Sequence, residues 1–162
     1  MAVAYIGIGS NLDDPALQVR QAIESLNDLP KTRLLKASSL YGSKPQGPQD
    51  QPDFINAVAS IETDLSPLDL LLALQQQEQQ QGKIKKRHWG ERVIDLDILL
   101  YDDVVLDQAD LILPHPQIDQ RDFVLLPLQE VMADREIPGK GSLSDLIAAL
   151  PITYVYPLNQ TH

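Results

Sequence analysis

Two aspartates separated by one residue mark the segment of the chain with the clearest chemical potential. Around Asp95 and Asp97, apolar residues alternate as in a strand, with Ile94, Leu96, Ile98 and Leu100 on one face. The two carboxylates would share the other face, with Cα atoms about 6.6 Å apart given the rise of a strand. Such a pair repels itself unless a cation lies between, and Mg²⁺ favours one or two carboxylates together with phosphate and water. A solvated face of an edge strand is the alternative, and the spacing alone leaves both readings open.

A basic segment directly precedes the two aspartates. The 13 Lys and Arg residues of the chain include five at positions 83, 85, 86, 87 and 92, although the formal net charge is −10. Cations beside a metal-binding carboxylate pair are what phosphoryl transfer needs. A solvated charge run is the other interpretation, but the proximity of Asp95 and Asp97 favours a polyphosphate site.

Composition limits the class of protein. The 162 residues, 43% hydrophobic and 22% charged, indicate one globular domain over residues 1–162 with an adequate core. Because 23 acidic residues outnumber 13 basic ones, a general binder of nucleic acid or of anionic membranes is not expected. The absence of cysteine excludes disulfides and thiol nucleophiles. The N-terminal segment resembles a strand rather than a signal peptide, so we expect a cytoplasmic protein, and nothing suggests more than a monomer.

The elements that must position these residues follow the order strand, helix, strand, strand, helix, strand. Strands are predicted at 2–9, 32–41, 54–63 and 93–101, one helix after an N-cap at Asp14, and another from Ser66 to about residue 82. This order predicts an α+β fold with a ferredoxin-like βαββαβ core, in which helices pack on one face of an antiparallel sheet. C-terminal additions follow, with a short helix from Pro127 and a last helix from Ser142.

Several further side chains could face a ligand. Asn56 is the only amide in the run 54–61, and a planar heterocycle would satisfy its donors and acceptor. Phe54 and Phe123 could stack on such a ring, although core packing is the usual role of a phenylalanine. The twelve-residue loop at 42–53 has a length typical of functional loops. His115 lies between two prolines, where it could contact a phosphate.

Four segments, taken together and in order, resemble the 6-hydroxymethyl-7,8-dihydropterin pyrophosphokinase family of folate biosynthesis. The strongest is HWGERVIDLDIL at 88–99, supported by AYIGIGSNL at 4–12, QPDFIN at 51–56, and LPHP at 113–116 with RDFVL at 121–125. The resemblance covers roughly residues 1–130. It implies ATP-dependent transfer of pyrophosphate to the hydroxymethyl group of a reduced pterin, giving AMP and the pterin diphosphate.

The resemblance also implies roles for individual residues. Asp95 and Asp97 would bind two Mg²⁺ ions that bridge ATP and the pterin hydroxyl, and Arg92 and Lys83 would act in catalysis. The positions that match the substrate pocket are Ser43, Gln46, Phe54, Asn56, Trp89 and Phe123. The positions that match the ATP site are Gln75, Glu78, Lys83, Lys85, Trp89, Arg92, Ile98, Ile112, His115 and Arg121. Some members have arginine where Lys83 stands, and lysine is a point charge rather than a bidentate fork.

Two other function classes compete with this one. A ferredoxin-like domain could be an RNA-binding or small-ligand regulatory module, but the acidic charge and the lack of a paired aromatic motif argue against RNA. A regulatory module would not need Asp95 and Asp97 together. A metal-dependent phosphohydrolase could use the same aspartates on water, and the pocket implied by Asn56 and the two phenylalanines argues against it.

Overall fold

A six-stranded antiparallel sheet organises the computed structural model, which describes residues 1–12, 14–43, 53–81, 93–150 and 155–157. In chain order the strands are β1 (Ala2–Ser10), β2 (Thr32–Ala37), β3 (Tyr41–Ser43), β4 (Phe54–Thr63), β5 (Asp95–Tyr101), β6 (Leu106–Asp107), β7 (Ile112–Leu113), β8 (Glu136–Ile137), β9 (Gly141–Ser142) and β10 (Val155–Pro157). The helices are α1 (Pro15–Leu26), α2 (Pro67–Gln80), α3 (Asp122–Val131) and α4 (Leu143–Ala148). Within the described residues, no helix combines the length and the apolar character needed to cross a membrane.

Strand β1 lies inside the sheet, whose order is β10-β3-β4-β1-β5, with β2 also paired to β4. It pairs antiparallel with β4 on one side and with β5 on the other. The hairpins β6–β7 and β8–β9 form separate two-stranded sheets. Helices combined with an antiparallel sheet confirm the predicted α+β class.

Two apolar cores lie on opposite faces of the sheet, because successive strand side chains point to opposite sides. In the first core, α1 and α2 cover the face that carries Ala4, Ile6, Ile8, Ala57, Ile61, Leu96 and Ile98. In the second core, α3 and α4 cover the face that carries Tyr5, Val58, Leu99 and Leu100. The prediction of helices on one face therefore holds for α1 and α2 only, since the C-terminal helices cover the other face.

A bulge in β5 changes the predicted apolar face of this strand. Tyr5 pairs with Leu100 but Ile6 pairs with Ile98, so Leu99 is an extra residue between the two pairs. An extra residue reverses the alternation beyond it. Leu100 consequently joins Leu99 in the second core, whereas the alternation had predicted it beside Ile98.

The predicted strand at 32–41 is two strands in the structure. At the break, the Ser38 backbone N–H donates to the carbonyl oxygen of Val58 at 2.8 Å, and the Val58 N–H donates to the Ser38 hydroxyl at 2.9 Å. A side-chain oxygen thus takes the place of a backbone acceptor, and the regular ladder ends. This interruption could not be inferred from the apolar pattern.

The helix ends follow local sequence signals to different degrees. Ser66 caps α2 as predicted, because its hydroxyl accepts from the Asp69 N–H at 3.2 Å. Asp14 occupies the predicted N-cap position of α1, and its carbonyl oxygen accepts from the Gln18 N–H at 3.0 Å, but its φ is 63° and its side chain makes no capping bond. The helix predicted from Pro127 begins instead at Asp122, and Pro127 lies inside it at the loss of one backbone hydrogen bond.

Glu130, on α3, ties this helix to the connection between β2 and β3. Its carboxylate accepts from the backbone N–H and the hydroxyl of Ser39, at 2.9 and 2.8 Å, and from the Tyr41 hydroxyl. Burial would raise the pKa of Glu130, but the hydrogen bonds from Tyr41 and Ser39 and the charge of Lys36 outweigh it and lower the pKa. Burial, and then the neighbouring Glu130, raise the pKa of Tyr41 to about 12.

Replacing Glu130 with glutamine is expected to lower the free energy of unfolding at pH 7 by about 1–3 kcal/mol, because charged acceptors make the stronger hydrogen bonds. Since folding lowers this pKa, the contribution is present above the ordinary value of 4.5 and is lost as the pH falls through the folded value. Urea unfolding of both proteins at pH 7 and in acid measures the difference. Glu24→Gln, at an exposed site on α1, is the control. A difference that stays constant into acid would contradict the assignment.

Candidate active site

The strand register places the two aspartates beside glycines rather than beside side chains. In the β1–β5 pair, Gly9 lies opposite Asp95 and Gly7 opposite Asp97, and in the β1–β4 pair Gly9 lies opposite Asn56. Residues directly opposite each other in an antiparallel pair point to the same face. Asp95, Gly9 and Asn56 therefore form one row across three strands. Because the central residue has no side chain, the row leaves a gap between the carboxylate and the amide.

The glycine at the centre of this row is required by close packing. A Cβ at Gly9 would lie 3.2 Å from Oδ1 of Asn56 and 3.9 Å from Cδ1 of Phe54. A Cβ at Gly7 would instead meet the side chain of Leu99, at 3.3 Å from Cδ2. The role of Gly7 and Gly9 thus depends on the strands on either side of β1.

A buried hydrogen bond holds the amide of Asn56 in place. Its Nδ2 donates to the hydroxyl of Ser43 at 2.7 Å, and the two residues are 6% and 4% exposed. Ser43 lies opposite Phe54 in the β3–β4 pair, so these three residues meet at one end of the sheet. With one N–H held by Ser43, Oδ1 and the second N–H remain to recognise the edge of a ligand.

Arg121, just before α3, connects the aspartates to an aromatic ring. Its guanidinium carbon lies 5.4 Å from the centroid of Phe123, in cation–π geometry, and it donates to the side-chain oxygen of Gln117. Burial lowers the pKa of Arg121, while the negative charges of Asp97 and Asp95 raise it. The guanidinium thus lies within the electrostatic reach of both carboxylates.

His115 belongs to the same group of charges. Its backbone N–H donates to the carbonyl oxygen of Leu99 at 2.9 Å, which fixes it beside β5. Its Nδ1 accepts from the Gln117 N–H at 3.2 Å. Burial lowers the pKa of His115, Asp97 raises it and Arg121 lowers it, with a net decrease. Because Nδ1 accepts, the neutral form of the ring carries its proton on Nε2.

Glu78 supports the aspartate-bearing strand from α2. Its Oε2 accepts from the backbone N–H of Leu96 at 2.7 Å, and the side chain is 7% exposed. Leu96 lies between Asp95 and Asp97, so this bond fixes the backbone that carries both carboxylates. This structural role of Glu78 stands beside the ATP contact that the resemblance implies for it.

A known protein family matches most of the chain. The sequence model described as 7,8-dihydro-6-hydroxymethylpterin-pyrophosphokinase (HPPK) matches residues 5–133. This chain belongs to the HPPK family. The match contains all the site residues described above, including Gly9, Asn56, Asp95, Asp97 and Arg121, and it confirms the resemblance found in the sequence.

Similar HPPK proteins from two bacteria match about nine-tenths of the chain. The 2-amino-4-hydroxy-6-hydroxymethyldihydropteridine pyrophosphokinase of Haemophilus influenzae is 47% identical over 147 residues, which is 91% of this chain and 92% of that protein. The protein of the same name from Pseudomonas aeruginosa is 46% identical over 147 residues, 91% of each chain.

Solved structures with the same fold are HPPK-DHPS proteins of greater length. One, in complex with substrates, has a TM-score of 0.67 at 13% identity, and the match covers 92% of this chain and 45% of that chain. The wild-type Plasmodium falciparum protein has a TM-score of 0.65 at 14% identity, with 91% and 43% covered. At these identities the likeness concerns the fold alone.

Of the residues that the resemblance assigned to an HPPK site, the structure brings one group together on the second-core face. This group consists of Ser43, Phe54, Asn56, Asp95, Asp97, Arg121 and Phe123, with His115 beside it. The side chain of Ile98 is buried in the first core, so we expect any contact with ATP to use its backbone. Gln75 is exposed on α2 and Ile112 on β7. Gln46, Lys83, Lys85, Trp89 and Arg92 lie outside the described residues.

The donor set at Asp95 and Asp97 fits Mg²⁺. Both groups offer hard oxygen donors, and Asp97 is exposed while Asp95 is partly exposed. Among the described residues, no three His, Cys, Asp or Glu side chains converge to hold a metal ion. The two carboxylates would therefore supply only part of a coordination sphere, and the phosphate oxygens of a ligand and water would complete it.

Proposed function

We propose that this protein transfers pyrophosphate from ATP to the hydroxymethyl group of 6-hydroxymethyl-7,8-dihydropterin, giving AMP and the pterin diphosphate. The observation that carries the proposal is the row Asp95–Gly9–Asn56, in which a carboxylate and a fixed amide lie on either side of a glycine on one face of the sheet. Family membership and the names of the similar proteins support the same reaction.

The amide side of the gap is suited to the pterin. A pterin edge carries donors and acceptors in one plane, which the remaining Oδ1 and N–H of Asn56 can match. Phe54 and Phe123 offer rings for the two faces of the bicycle. Because Asn56 is buried, an analogue that leaves its polar atoms unpaired would bind poorly. Gln46 and Trp89 are assigned to this pocket by the resemblance.

The carboxylate side of the gap is suited to the phosphates. Two Mg²⁺ ions held by Asp95 and Asp97 would neutralise phosphate charge and make the neighbouring pterin hydroxyl more acidic. Arg121 offsets the charge that develops during transfer, and His115 donates from Nε2 to a phosphate oxygen. Arg92, Lys83 and Lys85 are assigned to ATP by the resemblance, with Arg92 and Lys83 in catalysis.

The way in which the pterin is held accounts for the atom that its hydroxyl group attacks. Asn56 and the aromatic rings hold the pterin so that its hydroxymethyl group lies beside the carboxylates. The hydroxyl oxygen forms a bond to the β-phosphorus, the bond from that phosphorus to the α–β bridging oxygen breaks, and AMP leaves. The hydroxyl proton leaves to water. The same groups must exclude water from the β-phosphorus, since ATP would otherwise hydrolyse.

We also propose the finer structural assignments made from the sequence. The placement of β1 between β4 and β5, with α1 and α2 on one face, supports the ferredoxin-like assignment of the core. A monomer is proposed as the active unit, because nothing in the sequence indicates an obligate partner.

Replacing Gly9 with alanine is expected to raise the KM for the pterin about 10- to 100-fold, because overpacking of a tight site costs about 1–3 kcal/mol. The new methyl group would press on Oδ1 of Asn56, which Ser43 holds in place. Gly7→Ala, whose Cβ would have its three nearest contacts on the flexible side chain of Leu99, should raise this KM much less. Steady-state kinetics with each substrate varied provides the measurement, and equal effects of the two variants would contradict the proposed pocket.

The reaction is tested by incubating the protein with MgATP, with and without the pterin, and separating the nucleotides and pterins. We expect AMP in a one-to-one ratio with the pterin diphosphate. ADP would indicate single phosphoryl transfer, and ATP consumption without pterin would indicate a phosphohydrolase. A folded protein that binds the pterin without turnover would be a binding module.

A further inference from the structure

The segment 115–121 carries two proposed ATP contacts at its ends, His115 and Arg121. Between them is a 3-10 turn, Ile118–Gln120, whose Ile118 is fully buried in the second core. The next residue, Asp119, has a side-chain oxygen, Oδ1, that is buried and has no hydrogen-bond partner among the described residues. A buried carboxylate oxygen needs a charge or a donor nearby.

Lys140 provides the nearby charge. Its Nζ lies 3.5 Å from Oδ1 of Asp119, and both side chains are 27% exposed. The same Nζ lies 3.5 Å from the carbonyl oxygen of Pro116. One ammonium group therefore contacts the segment at two points, both of them between His115 and Arg121.

The turn that presents Lys140 is built for this placement. Gly139 and Gly141, on either side, have φ values of 73° and 113°, which side-chain-bearing residues rarely adopt. The Lys140 N–H donates to the carbonyl oxygen of Ile137 at 2.9 Å and closes the turn of the β8–β9 hairpin. Lys140 thus projects from a short, defined turn.

The hairpin is itself anchored away from the segment. Ile137 is fully buried in the second core. Arg135 donates to the carboxylate of Asp103 at 2.9 Å and to the carbonyl oxygen of Asp102 at 3.1 Å. The hairpin therefore rests on the end of β5 and on the core, and it can hold Lys140 steady against the segment.

We propose that Lys140 is a positioning residue, which fixes the segment 115–121 so that His115 and Arg121 present their side chains to ATP. The identity of the ligand rests on the proposed function, but the contact of Lys140 with Asp119 and Pro116 does not. Without the ammonium group, a buried carboxylate oxygen lacks a countercharge, and the segment shifts to expose it to water. His115 and Arg121 then leave their places beside Asp97.

The test compares Lys140→Met with Lys140→Arg and with Arg135→Met, which loosens the same hairpin without touching the segment. We expect Lys140→Met to raise the KM for ATP about tenfold, which corresponds to the interaction energy of two coupled charged residues. The KM for the pterin should change less than twofold, and Lys140→Arg should retain most of the ATP affinity. Arg135→Met should raise the KM for ATP by less than Lys140→Met does, because the hairpin keeps its buried anchor at Ile137.

A charge exchange separates the ion pair from other effects of the lysine. Lys140→Asp and Asp119→Lys are each expected to raise the KM for ATP by more than Lys140→Met does, because each places two like charges together. The double variant should recover most of the loss. Additive losses in the double variant would overturn the proposal.

A readout without turnover keeps this test distinct from that of the function. The imidazole C–H resonances of His115 are assigned by comparison with a His115→Gln variant, and their shifts are compared between the wild type and Lys140→Met in the absence of ATP. We expect a clear shift of the His115 resonances. Unchanged His115 resonances would overturn the positioning role. A shifted His115 in a protein that makes no AMP would retain the role and reject the function.

Discussion

Exchange of both Asp95 and Asp97 for asparagine is expected to reduce pterin-dependent AMP formation at least 10³-fold, and either single exchange about 10²- to 10³-fold. Asparagine keeps the size of the side chain but removes the negative charge that holds the cations. Because both carboxylates are at least partly exposed and share one face of β5, removing their charges should cost the fold little. The thermal unfolding midpoint should therefore stay within a few degrees of the wild-type value.

Three measurements make this result specific. Asp107→Asn, which removes an exposed strand carboxylate on β6, should leave turnover unchanged. The single variants should require a higher Mg²⁺ concentration for half-maximal rate, because one carboxylate remains to bind the ion. The affinity for the pterin alone should be retained in all variants, since Asn56 and Phe54 are untouched. Near wild-type turnover in the double variant would exclude the proposed metal site.

Replacement of Arg121 with methionine is expected to lower kcat/KM about 100-fold. This guanidinium lies within the electrostatic reach of Asp95 and Asp97 and stacks on Phe123, so its loss affects both the phosphate and the pterin sides of the gap. Arg121→Lys should recover part of the activity, because it keeps the charge but loses the planar group that stacks and donates to Gln117.

The control for Arg121 is a cation on the opposite edge of the sheet. Arg33 on β2 pairs with Glu62 at 2.8 Å, and Arg33→Met should leave the kinetics unchanged. Both KM values are measured for each variant together with kcat. Full activity of Arg121→Lys would show that stacking is not used. A loss below threefold in Arg121→Met would place Arg121 outside the reacting charges.

The geometry of the site could be predicted only in part from local sequence patterns. Alternation around Asp95 and Asp97 correctly predicted a strand that carries both carboxylates on one face. The gap beside them depends on Gly9, which lies 86 positions earlier in the chain and acquires its role from the register with Asp95 and Asn56. Register is a property of strand pairs, so a pattern within one strand cannot reveal it.

The α+β class, the Ser66 cap, the strand that carries the aspartates and the family could all be predicted from the sequence, because they depend on periodicity, local hydrogen bonding and short motifs. The bulge at Leu99, the packing of α3 and α4 on the second face, and the partners of Glu130 and Lys140 emerged only in the folded structure. These features depend on contacts between distant segments, such as Glu130 with Tyr41 and Lys140 with Asp119. Each such contact depends on how the elements pack, so the composition of either segment alone does not predict it.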